Sequence, residues 1–115
     1  MHFGVTGSNG YIGKNLVNLL YINNYKFKTL TKSHINFEND NNFQFKNFDD
    51  LPTNFFKNLD VIIHLAGIAH NSKSKSDSYK VINVEYTKYL AEQSIKNRIK
   101  KFIFISSIKA IDQEH

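Results

Sequence analysis

Three glycines near the start of the chain, Gly7, Gly10 and Gly13, have the spacing that most clearly suggests chemistry. They lie in the segment VTGSNGYIGKNL, between a short β-type run and the first helical pattern. In such a turn one glycine permits the bend, another lets backbone approach a phosphate, and the last lets the helix pack on the strand. The N–H groups at the helix start then point at the anion. The segment predicts a pyrophosphate site, and the alternative is a turn that binds nothing.

The rest of the chain alternates strand and helix patterns, which would place the glycine segment at the end of a strand. Strands are predicted at 2–6, 25–31, 43–48, 60–67 and 101–107. A helix is predicted from residue 12, a short one within 51–59 and a long one over about 79–97, with polar loops at 33–42 and 71–78. The order predicts an α/β fold with a Rossmann-type, doubly wound parallel sheet of about five strands, in one domain over 1–115 that ends after the fifth strand.

Composition excludes several classes of protein. The chain has 115 residues and no cysteine, which excludes disulfides and thiolate metal sites. Its longest apolar run, VIIHLAGIA, is too short to span a membrane, and no secretion signal begins the sequence, so we expect a cytoplasmic protein. The net charge of +5 comes mostly from scattered lysines. Only KNRIKK at 96–101 is dense, and a solvated helix end is favoured there over a nucleic-acid site. The five histidines show no metal-ligand spacing, and His64, in an apolar strand, is predicted to be buried.

Four motifs together resemble one enzyme family. Besides the glycine segment they are DVIIHLAG at 60–67, INVEYTKYLAE at 82–92 and KFIFISS at 101–107. They resemble the extended short-chain dehydrogenase/reductases, and more narrowly the NAD-dependent epimerase/dehydratase family, which acts on nucleotide sugars. HLAGIAH followed by ISSIK is similar to the branch with UDP-4-keto-sugar reductases and 4-epimerases. The resemblance implies an NAD(P)-dependent enzyme that moves hydride between sugar C4 and nicotinamide.

The resemblance also implies a set of cofactor-binding residues. Asp50 and Leu51 would lie near the adenine, and residues 65–67 would line the path of the cofactor. The full set is Gly7, Asn9, Gly10, Tyr11, Ile12, Gly13, Lys32, Asp50, Leu51, Leu65, Ala66, Gly67, Asn83 and Ser106.

The sequence after the second strand bears on the choice of cofactor. NAD would need an acidic residue about 20 residues beyond the glycine loop, and LTKS at 30–33 has none. Lys32 would instead meet the 2′-phosphate of NADP, or it is simply an exposed lysine at a strand end. NADP is therefore favoured, and NAD stays open.

Two features depart from the family pattern. The helix motif NVxGT here has NVEYT, so the ring of Tyr86 must find room where the family has glycine. Ser107 matches the catalytic Ser/Thr, whose role is to hydrogen-bond the reacting oxygen of the substrate. However, none of the six tyrosines has a lysine four positions later, which is the family's acid/base pair.

We therefore expect a cofactor-binding portion with little activity of its own, without the C-terminal part that binds the nucleotide-sugar substrate. The last strand would then be an open sheet edge, covered by a second copy or by a complementing C-terminal chain. The alternative is a non-catalytic NAD(P)-binding module with a sensing or regulatory role.

Overall fold

The computed structural model describes residues 1–47, 50–65 and 76–105, with the side chains of 76–83 excepted. The strands in this part of the chain are β1 (His2–Thr6), β2 (Lys26–Lys32), β3 (Phe37–Glu38), β4 (Asn42–Phe45), β5 (Val61–Leu65) and β6 (Lys101–Ile105). The helices are α1 (Tyr11–Ile22), a short 3-10 helix (Thr53–Phe56) and α2 (Ser76–Lys96).

The strands form one sheet in the order β3-β4-β2-β1-β5-β6. Every neighbouring pair is parallel except β3 with β4. Parallel strands linked by helices on both faces confirm the predicted Rossmann-type α/β fold.

Two predicted loops contain regular structure. Segment 33–42 was expected to be loop throughout, but Phe37–Glu38 is a sixth strand, antiparallel to β4. The side chain of Asn39 holds this hairpin, because its Oδ1 accepts the N–H groups of Asn41 at 2.9 Å and Asn42 at 2.6 Å. Asparagine favours such turns, so the polar composition that suggested a loop also suits the hairpin. Likewise α2 begins at Ser76, inside the predicted loop 71–78, and residues 71–75 lie outside the described part.

The sheet carries a hydrophobic cluster on each face. One lies under α2 and the 3-10 helix and includes Phe43, Phe45, Phe55, Phe56, Leu30, Leu51, Leu59, Ile62 and Leu90. The other lies under α1 and includes Val5, Leu20, Val61, Ile63 and Leu65. Gly4 has no room for a side chain, because a Cβ would lie 2.5 Å from Leu59 Cδ1 and 2.9 Å from Phe55 Cζ. This glycine therefore lets the 3-10 helix segment pack directly on β1.

Lys28 is buried in the middle of β2. Its Nζ donates hydrogen bonds to the carbonyl oxygens of Lys57, at 2.7 Å, and Asn54, at 3.2 Å. Burial, followed by the charge of Lys57, lowers the pKa of Lys28. The ammonium thus satisfies carbonyls at the end of the 3-10 helix, which ties that helix to the sheet.

Candidate functional site

The glycine loop lies at the point where the strand order of the sheet reverses. The chain leaves β1 through α1 to β2 on one side, while β5, on the other side of β1, is reached from β4. Because β1, β2 and β5 are parallel, their carboxyl ends meet at one edge of the sheet. Open α/β sheets bind ligands in the crevice at this kind of switch point.

The surrounding protein leaves no room for a side chain at Gly7 or at Gly13. Gly7 has a φ of +74°, and a Cβ there would lie 2.5 Å from the carbonyl oxygen of Leu65. At Gly13 a Cβ would lie 2.5 Å from the carbonyl oxygen of Gly7 and 2.6 Å from Ser8 Cα. The first glycine therefore makes the turn against β5, and the third lets α1 pack against the loop.

Gly10 differs from both, because the protein leaves room for a side chain there. Its φ and ψ are −81° and 177°, and the nearest atom to a Cβ would be the oxygen of Gly7 at 3.7 Å. Gly10 is the N-cap of α1, with no side-chain cap and no acidic residue in the first turn. The N–H groups of a first helical turn have no partner within the helix, so this end of α1 can receive an anion.

The other predicted residues of the loop are at the surface. Asn9, Gly10, Tyr11 and Ile12 are all exposed, with Tyr11 at 85% and Ile12 at 55% of their full accessibility. Gly10 is the N-cap of α1, and Asn9, Tyr11 and Ile12 are its exposed neighbours along the chain. The structure therefore brings together the whole predicted loop at the carboxyl end of β1.

Lys32 and Leu65 end strands β2 and β5, whereas Asp50 and Leu51 lie between β4 and the 3-10 helix. Lys32 is exposed as the last residue of β2, and Asp50 is exposed with its N–H donated to the carbonyl of Asn47 at 3.0 Å. Leu65 ends β5 and packs in the cluster under α1, whereas Leu51 is buried in the cluster under α2.

Several predicted residues lie outside the described part of the chain. These are Ala66, Gly67, Ser106 and Ser107, together with the side chain of Asn83. Their proposed contacts stay predictions.

A buried polar network lies directly beneath the glycine loop. Thr6 and His64 are register partners on β1 and β5, and a hydrogen bond joins Thr6 Oγ1 to His64 Nδ1. On its other side, His64 Nε2 is bonded to Thr87 Oγ1 on α2 at 2.8 Å. A side-chain hydrogen bond also joins Thr6 and Tyr86. The network thus links the residue before Gly7 to α2.

The environment of His64 makes it a neutral, structural residue. It is 1% exposed, which confirms the prediction that it is buried. Burial lowers the pKa of its imidazole to about 4. Burial also raises the pKa of Tyr86, against a smaller opposite effect of the hydrogen bond to Thr6. At neutral pH the network therefore carries no charge.

Tyr86 finds the room that its position in the helix motif requires. Its ring centroid lies 5.4 Å from that of Phe45 and 5.2 Å from that of His64. The sequence drew attention to Tyr86 and His64 separately, but not to their contact. A histidine within an apolar strand and a tyrosine in place of glycine were the available signals.

A metal site and a membrane-spanning helix both find no support in the described ranges. No group of three or more His, Cys, Asp or Glu side chains is placed there to hold a metal ion. Within the same ranges, no helix combines the length and apolarity needed to cross a bilayer.

The family model for the NAD-dependent epimerase/dehydratase family matches residues 4–114. The chain belongs to this family. Among curated epimerase/dehydratase relatives, the UDP-glucose 4-epimerase of Vibrio cholerae is 36% identical over 114 residues, covering 91% of this chain and 34% of that protein. The chain thus spans about a third of the length of this relative.

Solved structures similar to this family member show the same fold at low identity. A short-chain dehydrogenase/reductase superfamily protein from Agrobacterium tumefaciens, solved with bound NAD, has a TM-score of 0.72 at 19% identity, covering 93% of this chain and 33% of that chain. MoeE5, solved with UDP-glucose and NAD, has a TM-score of 0.71 at 21% identity, covering 94% and 37%. These likenesses support the Rossmann-type fold.

Proposed function

We propose that this chain is the coenzyme-binding portion of a nucleotide-sugar epimerase, dehydratase or 4-keto-reductase that uses NAD or NADP. One observation carries the proposal: a Cβ would fit at Gly10, although this residue lies between two glycines that the fold itself requires. A side chain would fit at Gly10 in the protein alone, so the need for bare backbone there comes from something outside it. A pyrophosphate at the start of α1 is a group of the right charge and size.

The residues around this position fit a dinucleotide. The bound coenzyme would supply the hydride chemistry, as an acceptor and donor of hydride. The first-turn N–H groups of α1 would hold its pyrophosphate, and Lys32 would lie beside the ribose that bears a 2′-hydroxyl or 2′-phosphate. Ser107, in the family's catalytic position, would hydrogen-bond the oxygen at the reacting carbon of the sugar.

Relatives support the substrate class. The Vibrio cholerae relative is named for epimerisation of UDP-glucose, and MoeE5 was solved with UDP-glucose and with UDP-glucuronic acid. A nucleotide-sugar substrate is therefore proposed for the complete enzyme. Within these 115 residues no tyrosine has a lysine four positions later, so we expect coenzyme binding without appreciable turnover.

The lack of a lysine four positions after any tyrosine of this sequence also favours a second candidate, a non-catalytic module that senses NAD or NADP. Such a module needs the glycine loop and no general acid/base. The two candidates differ in substrate binding. A sensor needs no affinity for UDP-glucose, even with coenzyme bound. An enzyme portion that is supplied with its substrate-binding region should bind UDP-glucose.

Calorimetric titration with NAD and with NADP tests coenzyme binding, and Gly10→Ser is the informative variant. Serine is a good N-cap residue, so this change should leave the free energy of unfolding unchanged or raise it slightly. Its side chain would occupy the space next to the phosphates, so affinity should fall at least about tenfold, or about 1.4 kcal/mol. Equal affinity of Gly10→Ser and the wild type, or no binding of either coenzyme, would refute the proposal.

A further inference from the structure

The polar network beneath the glycine loop lies within one residue of the turn on both strands. Thr6 is the last residue of β1 and directly precedes Gly7. His64 directly precedes Leu65, whose carbonyl oxygen is the atom that a Cβ on Gly7 would meet. The hydrogen bond between the side chains of Thr6 and His64 therefore joins the two strands at the level of the turn.

The peptide groups of Gly7 connect this bond to the start of α1. The N–H of Gly7 donates to the carbonyl of Leu30 in β2 at 3.2 Å, and the carbonyl of Gly7 accepts the N–H of Gly10 at 3.3 Å. Gly10 is the N-cap, and its own carbonyl accepts the N–H of Lys14 at 2.9 Å. A continuous series of covalent and hydrogen bonds thus leads from the side chain of Thr6 to the first turn of α1.

Tyr86 adds a second connection between α2 and this turn. Thr87, on the same helix, is linked to Thr6 through the ring of His64. The side chain of Tyr86 is hydrogen-bonded to Thr6 directly. Its ring packs against those of Phe45 and His64, which fixes the direction of the hydroxyl. The residue that replaces the glycine of the helix motif therefore ties α2 to the residue before the glycine turn.

We propose that Tyr86 and Thr6 are positioning residues for the coenzyme. Their hydrogen bond holds the glycine turn in the conformation that presents the first-turn N–H groups of α1 to the pyrophosphate. A site that is already ordered loses less conformational entropy when it binds its ligand, so it binds more tightly. The inference rests on the proposed coenzyme site, and it adds a residue of α2 to the groups that determine the affinity of that site.

The alternative is a network that only stabilises the fold. Across the described ranges, each buried side-chain nitrogen or oxygen has a hydrogen-bond partner, so the loss of one group leaves another unsatisfied under either hypothesis. A lower free energy of unfolding by itself would leave the affinity of the folded molecules unchanged. The two roles therefore differ in coenzyme affinity, measured under conditions where each variant is folded.

Calorimetric titration of Tyr86→Phe and Thr6→Val with NAD and with NADP separates the two roles. Tyr86→Phe removes one hydrogen bond and keeps the ring, so the dissociation constant should rise at least about threefold. Thr6→Val keeps the shape of the side chain but removes the bonds to His64 and Tyr86, so the rise should be at least about tenfold. Thr6→Ser keeps the hydroxyl and should bind coenzyme as the wild type does.

The double variant tests whether Tyr86 acts through Thr6. If it does, Tyr86→Phe should have no further effect on affinity in the Thr6→Val background. Thr29→Val is the matched control, because Thr29 is also buried in the sheet and loses a hydrogen bond, that from its Oγ1 to Asn42 Oδ1 at 2.7 Å. That bond joins β2 to β4, away from β1 and β5, so Thr29→Val should leave the affinity unaltered.

Failure of the proposed function and failure of this inference give different results. Binding of neither coenzyme to the wild type would overturn both. Wild-type affinity in Tyr86→Phe, an equal loss in Thr29→Val, or an additive loss in the double variant would overturn the positioning role and leave the coenzyme site standing. Urea denaturation checks that each variant is folded during titration, and if Thr6→Val does not fold, the comparison of Tyr86→Phe with the wild type decides.

Discussion

Gly7 and the carbonyl oxygen of Leu65 are so close that a Cβ on Gly7 would lie 2.5 Å from that oxygen. The contact joins the glycine turn after β1 to the end of β5, the two strands that flank the proposed crevice. The N–H of Gly7 also donates to the carbonyl of Leu30 in β2 at 3.2 Å. The turn is therefore held by both neighbouring strands, which gives Gly7 a structural role distinct from that of Gly10.

We predict that Gly7→Ala destabilises the chain by about 2 kcal/mol or more. The left-handed φ of +74° alone costs an alanine about 1–2 kcal/mol, and the contact with Leu65 adds to it. Gly10→Ala, where a Cβ fits, should cost about 1 kcal/mol or less. Urea denaturation of the two variants measures this difference. Equal destabilisation would contradict the assignment of strain to Gly7.

The second prediction concerns acid. The folded pKa of His64 is about 4, below the value of about 6.5 in an unfolded chain, so the unfolded state takes up the proton first as pH falls. The stability contributed by neutral His64 is complete above pH 6.5 and is lost progressively between pH 6.5 and 4. The 2.5-unit difference corresponds to about 3 kcal/mol.

Urea denaturation at several pH values between 7 and 4 measures this loss. His64→Gln removes the titrating group. The free energy of unfolding of this variant should therefore fall less steeply as the pH is lowered, whatever its value at pH 7. The pKa of His2 is also lowered, first by burial, so part of the slope should remain in the variant. Parallel slopes for the two proteins would show that His64 does not govern the acid sensitivity.

The third prediction separates the hydroxyl of Tyr86 from its ring. Tyr86→Phe removes the hydrogen bond with Thr6 and keeps the ring, which should cost about 1 kcal/mol. Tyr86→Gly restores the residue of the family motif, but it removes a ring packed against Phe45 and His64 and places glycine within a helix, which should cost about 3 kcal/mol or more. Thermal unfolding of both variants tests this order. A stable Tyr86→Gly variant would mean that the ring fills no required space.

Local patterns in the sequence were enough to predict the main strands and helices. The uninterrupted apolar run of β5 reflects a strand that is buried on both faces. The spacing of leucines in α1 reflects a helix that is buried on one side. The position of the glycine loop follows from the order of these elements. The buried state of His64 followed from its apolar neighbours alone.

Features that depend on distant partners were missed. Lys28 is buried because the carbonyls of Asn54 and Lys57, 26 and 29 positions away, receive its ammonium, and nothing near Lys28 signals them. The pairing of Thr6 with His64 spans 58 positions and appears only when β5 is placed beside β1. Strand β3 was missed because two residues are too short for an alternating pattern.

The last prediction concerns the choice between NAD and NADP, and it rests on the proposed coenzyme site. Lys32 ends β2 at the carboxyl edge of the sheet, where the ribose of a coenzyme on the glycine loop would lie. Lys32→Asp replaces a cation with a carboxylate, which repels a 2′-phosphate and accepts a hydrogen bond from a 2′-hydroxyl. The affinity for NADP should fall at least about tenfold, and that for NAD should stay the same or rise.

Lys26→Asp is the matched control, because Lys26 begins the same strand and is also exposed. At about 3.3 Å per residue the two ends of β2 are about 20 Å apart, beyond the range of about 10 Å over which exposed charges act in 0.1 M salt. Lys26→Asp makes the same change in net charge and should leave both affinities unaltered. An equal loss of NADP binding in the two variants would mean that Lys32 acts through overall charge and has no place beside the ribose.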